Sequence, residues 1–216
     1  MSLVIVGAGP NLGLAVARRF GREGFSVGLV SRTQAKLDDL AAQLEGEGIT
    51  AAGAAADIRD AAALAAAIDG LAGRLGEVEV LEYSPLPARE FMKPILETTV
   101  DDVRGPLEFS VLGAVAATRA VLGQMQAAGR GTILFTTGGA AINPYPLRAG
   151  VGISFAGEVA YARMLHDELA DHGIHVAHTA IGGSIAPGGD HEPDEVADLL
   201  WTHHAERGPF QTVIGI

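Results

Sequence analysis

Two rhythms alternate along the chain. Short apolar runs are separated by longer stretches in which apolar residues return every three or four positions. The runs are Leu3–Val6, Ser26–Ser31, Thr50–Ala55, Val78–Glu82, Thr132–Thr137, Ile174–Ala180 and Gln211–Ile214. Unbroken apolar runs bounded by turn residues read as strands buried on both faces. The slower rhythm predicts helices over about 11–23, 33–47, 61–72, 149–171 and 193–206, and a long one ending near 128. Thr99 and Asp102 have the spacing of a capping box at the start of that long helix. Pro106 lies inside it, which predicts a kink or a later start. The Ala-rich stretch Ala51–Ala67 is divided by Asp57 and Asp60 into a strand and a helix, with Asp60 as the cap.

Strands alternating with helices give an α/β class, a doubly wound parallel sheet with helices on both faces. Crossovers are right-handed, and ligands bind at the carboxyl ends of the strands. No break in composition divides the 216 residues, so one domain, 1–216, is expected.

The first run leads directly into Gly7-Ala8-Gly9-Pro10-Asn11-Leu12-Gly13 and then into a helical pattern. Gly7 permits a sharp turn, Gly9 a close backbone approach to a ligand, and Gly13 tight helix–strand packing. Backbone N–H groups at such a helix start suit a pyrophosphate. Asn11 is the non-glycine residue best able to tolerate a positive φ if the turn requires one there. The second run ends in Ser31-Arg32. An acidic residue there would accept from the ribose 2′-OH of NAD, whereas an Arg receives the 2′-phosphate of NADP, so NADP(H) is expected over NAD(H).

Composition narrows the partners. A net charge of −11 argues against nucleic acid and anionic membranes. No apolar run in the sequence approaches a membrane span, and the first strand begins too early for a signal peptide. The absence of cysteine excludes disulfides and Cys-ligated zinc, and fits a cytoplasmic protein. The seven histidines do not have metal-ligand spacing. His175 and His178 point to opposite faces of a strand, and His203 and His204 diverge on a helix. No metal site is expected.

The glycine turn resembles the T-G-x-x-x-G-x-G turn of the short-chain dehydrogenase/reductase family, with Val6 for the Thr and Asn11 for the middle Gly. The resemblance extends through Asp57, the stretches Glu97–Gly113 and Gly131–Gly139, and Glu168-Leu169-Ala170-Asp171-His172-Gly173-Ile174-His175-Val176, which is similar to the family segment E-L-A-x-x-G-I-x-V. It implies a Rossmann-type fold, with about seven strands in the order 3-2-1-4-5-6-7, and NAD(P)-dependent oxidation or reduction of a carbonyl or alcohol substrate. It also implies a homodimer or homotetramer formed through helices 103–128 and 149–171. Apolar residues outside a single stripe on those helices (Val103, Leu112; Phe155, Tyr161) fit a second buried face.

By the same resemblance, Asp57 and Ile58 lie against the adenine. Tyr83 and Ser84 replace the start of the family's N-N-A-G turn. Ile181, Gly183 and Ser184 approach the nicotinamide and diphosphate. The family's catalytic set is a Tyr, a Lys four residues later, a Ser about thirteen residues before the Tyr, and an Asn on the preceding long helix. Counting back from Glu168, these positions fall on Val151, Phe155, Gly138 and Ser110, and no Tyr-x-x-x-Lys occurs anywhere in the chain. Candidate substitutes are Tyr145, in the loop before the helix and near Arg148, and the strand hydroxyls of Thr136 and Thr137. Two readings stay open: an oxidoreductase with a relocated acid–base group, or a nucleotide-binding sensor or partner subunit without turnover.

Overall fold

The structure is a computed structural model and describes residues 1–216. Seven parallel strands form one sheet in the order β3-β2-β1-β4-β5-β6-β7. They are β1 Ser2–Val6, β2 Ser26–Ser31, β3 Ala51–Ala55, β4 Val78–Tyr83, β5 Gly131–Gly138, β6 Ile174–Ile181 and β7 Gln211–Ile214. Between them run α1 Leu12–Gly21, α2 Gln34–Gly46, α3 Ala61–Leu75, α4 Val100–Leu107 continuing into α5 Gly113–Ala128, α6 Ala149–Leu169 and α7 Pro193–Glu206.

Alternation of side chains along each strand builds two cores. Leu3, Ile5, Val80, Leu134 and Ala177 face one layer and pack with Val16, Phe20 and Leu37. Val4, Val6, Leu81, Phe135 and Val176 face the other, with Leu64, Ile68, Val121 and Ala162. Every strand from β1 to β6 contributes to these two layers. The predicted boundaries hold closely. Asp60 caps α3, its carboxylate accepting from the Ala63 N–H at 3.0 Å, and Thr99 and Asp102 form the capping box.

The long helix departs from expectation. It begins at Val100 and passes through Pro106 as an α-helix, and the irregularity follows as a π turn over Glu108–Leu112. There the Gly113 N–H bonds to the Glu108 carbonyl, five residues back. That register leaves the Phe109 carbonyl free, and the buried Tyr83 hydroxyl donates to it. A side chain at Gly113 would collide with that hydroxyl. Tyr83→Phe therefore leaves a buried carbonyl without a donor. We expect urea denaturation to show a loss of about 1–3 kcal/mol; a loss below about 0.5 kcal/mol would mean that another donor serves Phe109.

Two further expectations change. Helix Val100–Ala128 is long and apolar enough to cross a membrane by length and composition, which the run-by-run reading of the sequence did not register. Ala114, Ala117, Val121 and Met125 on it pack in the core. Of the apolar residues expected on a second face, Leu112 is exposed, but Phe155 is buried against Phe91 and Val151, and the Tyr161 ring packs edge-on to Phe135. Those two aromatic side chains are used within the chain.

Candidate functional site at the carboxyl edge of the sheet

Every predicted cofactor position lies at or just beyond the carboxyl end of a strand, with Ser31, Tyr83 and Ile181 the last residues of theirs. Gly7 to Gly13 follow β1, Arg32 follows β2, Asp57 and Ile58 follow β3, and Ser84 follows β4. Gly138 ends β5, and Ile181 to Ser184 follow from β6. Parallel pairing sets this shared edge: Val6 stands beside Val30 and Tyr83, and Gly138 beside Ile181.

The turn after β1 is held from below. The Gly7 and Ala8 N–H groups both donate to the Val30 carbonyl at 3.0 Å. Gly7 has φ +100°, and a Cβ on it would sit 2.6 Å from the backbone of Pro85. Asn11 does not use a positive φ: its φ is −96°, and the left-handed strain falls on Gly7 instead. Asn11 makes no side-chain cap, and the N–H groups of Gly9, Asn11, Leu12 and Gly13 donate to no acceptor in the chain. A Cβ on Gly9 would meet nothing nearer than the Gly7 carbonyl oxygen at 4.0 Å. Free N–H groups, a helix N-terminus and an accessible glycine fit a diphosphate.

Arg32 is exposed and makes no ion pair or hydrogen bond in the chain. Asp57 is already engaged. Its carboxylate accepts from Arg59 Nη2 at 3.0 Å and from the Arg59 N–H at 3.0 Å, and these bonds hold its pKa below the ordinary carboxylate value. Ile58 is buried. The Tyr83 side chain is turned into the core, and Ser84 spends its hydroxyl proton on Glu82 at 2.8 Å. Ile181 is buried, Gly183 has φ +89°, and Ser184 is tied to Asp190, whose carboxylate accepts from the Ser184 N–H and hydroxyl at 2.8 Å each.

Val151 and Phe155 lie on the buried stripe of α6 beside the end of β5. Both are 4% exposed, and a Cβ on Gly138 would meet the Phe155 ring at 3.4 Å. Hydrocarbon therefore fills this corner. Ser110 is buried in the π turn and receives a hydrogen bond from the Ser154 hydroxyl at 3.3 Å. Tyr145 is half exposed in the loop before α6, and Arg148 is exposed beside that helix start. Thr137 is buried on β5, 2.8 Å from His178 Nε2. Thr136 is buried with its hydroxyl unpartnered.

Two buried acids escaped the sequence reading. Glu82 is fully buried near the end of β4, and its Oε1 has no partner. Burial pushes its carboxyl up to about 8, against a smaller opposing pull from the Ser84 hydroxyl. Glu158 on α6 is also buried, and burial holds its carboxyl far above the ordinary range. A Glu within the apolar run Val78–Tyr83 was the available signal for the first. His178 is held neutral by burial, which lowers it to about 4. No group of histidines and acids is arranged to hold a metal ion.

A family model for short-chain dehydrogenases matches residues 2–189. Dehydrogenase/reductase SDR family member 4 of Sus scrofa is 28% identical over 178 residues, covering 82% of this chain and 61% of its own length. D-threitol dehydrogenase of Mycolicibacterium smegmatis is 28% identical over 173 residues, covering 80% of this chain and 66% of its own. The chain thus spans somewhat under two thirds of these relatives. A short-chain dehydrogenase from Rhodopseudomonas palustris superposes with a TM-score of 0.88 at 27% identity, covering 100% of this chain and 98% of that one. A metagenomic short-chain oxidoreductase solved in complex with NADP superposes with a TM-score of 0.85 at 25% identity, covering 99% and 96%.

Proposed function

The chain belongs to the short-chain dehydrogenase/reductase family, and from that membership we propose that it is an NADP(H)-binding oxidoreductase acting on a small carbonyl or alcohol substrate through a non-standard site. One observation carries this reading: unpartnered N–H groups of the glycine turn lie on the same sheet edge as the unpaired Arg32. When bound, NADP(H) supplies or accepts the hydride. Gly9, Pro10, Asn11, Leu12 and Gly13 cradle its diphosphate. Arg32, beside Ser31, takes the 2′-phosphate. Asp57 and Ile58 border the adenine, and Ser84, Ile181, Gly183 and Ser184 line the approach to the nicotinamide; Tyr83, expected beside them, is instead fully buried in the core. Thr137 adjoins the vacated Ser position, and Tyr145 stands in the loop six residues before the vacated Tyr position. The relative bound to NADP supports the phosphate assignment by analogy of fold.

Arg32→Ala tests it. A charge-assisted contact to a phosphate is worth about 1.5–3 kcal/mol, so NADPH affinity is expected to fall about tenfold to a hundredfold, with NADH affinity unchanged. Equal losses for both nucleotides would remove the 2′-phosphate role.

A second reading is favoured by the hydrocarbon at Val151 and Phe155, which leaves no cation beside the end of β5 to hold a tyrosine ready for proton transfer. On it, the chain binds the nucleotide without turnover, as a sensor or partner subunit. In either case we propose assembly as a homo-oligomer through helices 103–128 and 149–171. Exposed Leu107 and Leu112 on the first, and Ile153 and Met164 on the second, supply its apolar surface. A cytoplasmic location is proposed with it.

A further inference from the structure

Beside the hydrocarbon corner runs a short polar chain across three strands. Thr137 on β5, His178 on β6 and Gln211 on β7 are brought together by register, with His178 directly opposite Gln211. Thr137 Oγ1 lies 2.8 Å from His178 Nε2, and the Gln211 side-chain nitrogen lies 3.1 Å from His178 Nδ1. Thr137 and His178 are buried, and Gln211 is half-buried.

The direction of the chain follows from the donor at its end. With the Gln211 amide set nitrogen-first towards the ring, His178 Nδ1 accepts from it. A neutral imidazole accepting at Nδ1 carries its proton on Nε2. That N–H then donates to Thr137 Oγ1. The Thr137 hydroxyl proton has no acceptor elsewhere in the chain. It is the one hydroxyl proton of this polar chain, on a residue one short of the carboxyl end of β5. Burial keeps His178 neutral through the physiological range, so this polarity does not reverse there. Each donor in such a chain strengthens the next.

We infer that His178 and Gln211 are positioning residues that turn Thr137 outward as the hydrogen-bond donor to the substrate carbonyl or alcohol oxygen. This rests on the oxidoreductase reading above, and gives the reaction a preset donor where the family's Ser position is a glycine. His178 and Gln211 do not touch the substrate; Thr137 does.

The test has two arms on the full chain. In the first, nitrogen-15 NMR of the His178 imidazole reads its tautomer, with and without NADPH. The Nε2–H form is expected throughout pH 6–8 in wild type, giving way to a mixture in Gln211→Met. In the second, NADPH-dependent reduction of 4-nitrobenzaldehyde is followed. Thr137→Val should lower kcat about a hundredfold, as loss of an oriented donor does, and Thr137→Ser should restore most of it. Gln211→Met should lower kcat about fivefold with NADPH affinity unchanged. In the Thr137→Val background, Gln211→Met should change nothing further. An Nδ1–H tautomer in wild type, or multiplicative losses in the double variant, overturns the inference while leaving the oxidoreductase reading intact. NADPH binding with no reduction by wild type overturns that reading, and this inference with it.

Discussion

Replacing Glu82 with Gln is expected to stabilise the fold at pH 8 by on the order of 4 kcal/mol relative to wild type, and by less than about 1 kcal/mol at pH 5. Glu82 is fully buried, and its carboxyl titrates near 8 rather than near 4.5 because burial penalises the charged form. The folded chain therefore holds a proton that the unfolded chain releases above 4.5. Stability from this group is complete below 4.5 and is lost as pH rises towards 8. Gln matches the protonated acid in shape and cannot ionise, so it removes the loss. Neutral His175 and His178, each lowered to about 4 by burial, act in the other direction. Their contribution is complete above 6.5 and is lost as pH falls towards 4. The wild-type optimum should therefore be narrow. Urea unfolding from pH 5 to 8.5 reads both effects, and parallel stability curves for wild type and Glu82→Gln would show that Glu82 is ionised in the native state.

Gly7→Ala is expected to cost about 3–5 kcal/mol, the sum of a positive-φ penalty and an overpacking penalty. At φ +100°, its Cβ would be driven to 2.6 Å from the Pro85 backbone and 2.8 Å from the Ser84 carbonyl carbon. Neither neighbour is the end of a flexible side chain, so the segment after β4 must move away from the turn. Gly9→Ala is the matched control. Its added Cβ meets nothing nearer than 4.0 Å, and it should leave urea unfolding within about 0.5 kcal/mol of wild type. It would still obstruct a nucleotide that approaches the backbone closely, so NADPH affinity should fall while the fold holds. If Gly9→Ala bound NADPH as wild type does, the diphosphate would not lie on this turn.

The contrast between those two glycines shows how far the sequence could be read. Apolar runs and helical spacing gave the strands, the helices and their order, because burial on both faces of a parallel sheet leaves a pattern with few alternatives. Gly7 and Gly13 were assigned by the same logic. Asn11 was not: whether a turn residue needs a positive φ depends on what packs against the turn, and here that is Pro85, about seventy-five residues away in sequence. The consequence of Pro106 was misplaced for a similar reason. The helix passes through the proline unbroken, and its irregularity is a π turn over Glu108–Leu112, where the Tyr83 hydroxyl on β4 donates to the Phe109 carbonyl. The polar chain of Thr137, His178 and Gln211 was invisible because strand register, not spacing along the sequence, makes it. Along the sequence, His178 shows only its three-residue separation from His175, and Gln211 shows only the start of a strand. Glu82 is legible in the sequence as an acid in an apolar run. What the site lacks was the most legible feature, since the absence of Tyr-x-x-x-Lys needs no structure to establish.

The central claim is that this sheet edge binds NADP(H), and calorimetric titration of the full chain with NADPH and NADH tests it most directly. Micromolar binding of NADPH, with NADH weaker by tenfold or more, is the predicted result. No heat from either nucleotide would contradict it, and would mean that the glycine turn and Arg32 persist without the ligand they are shaped for.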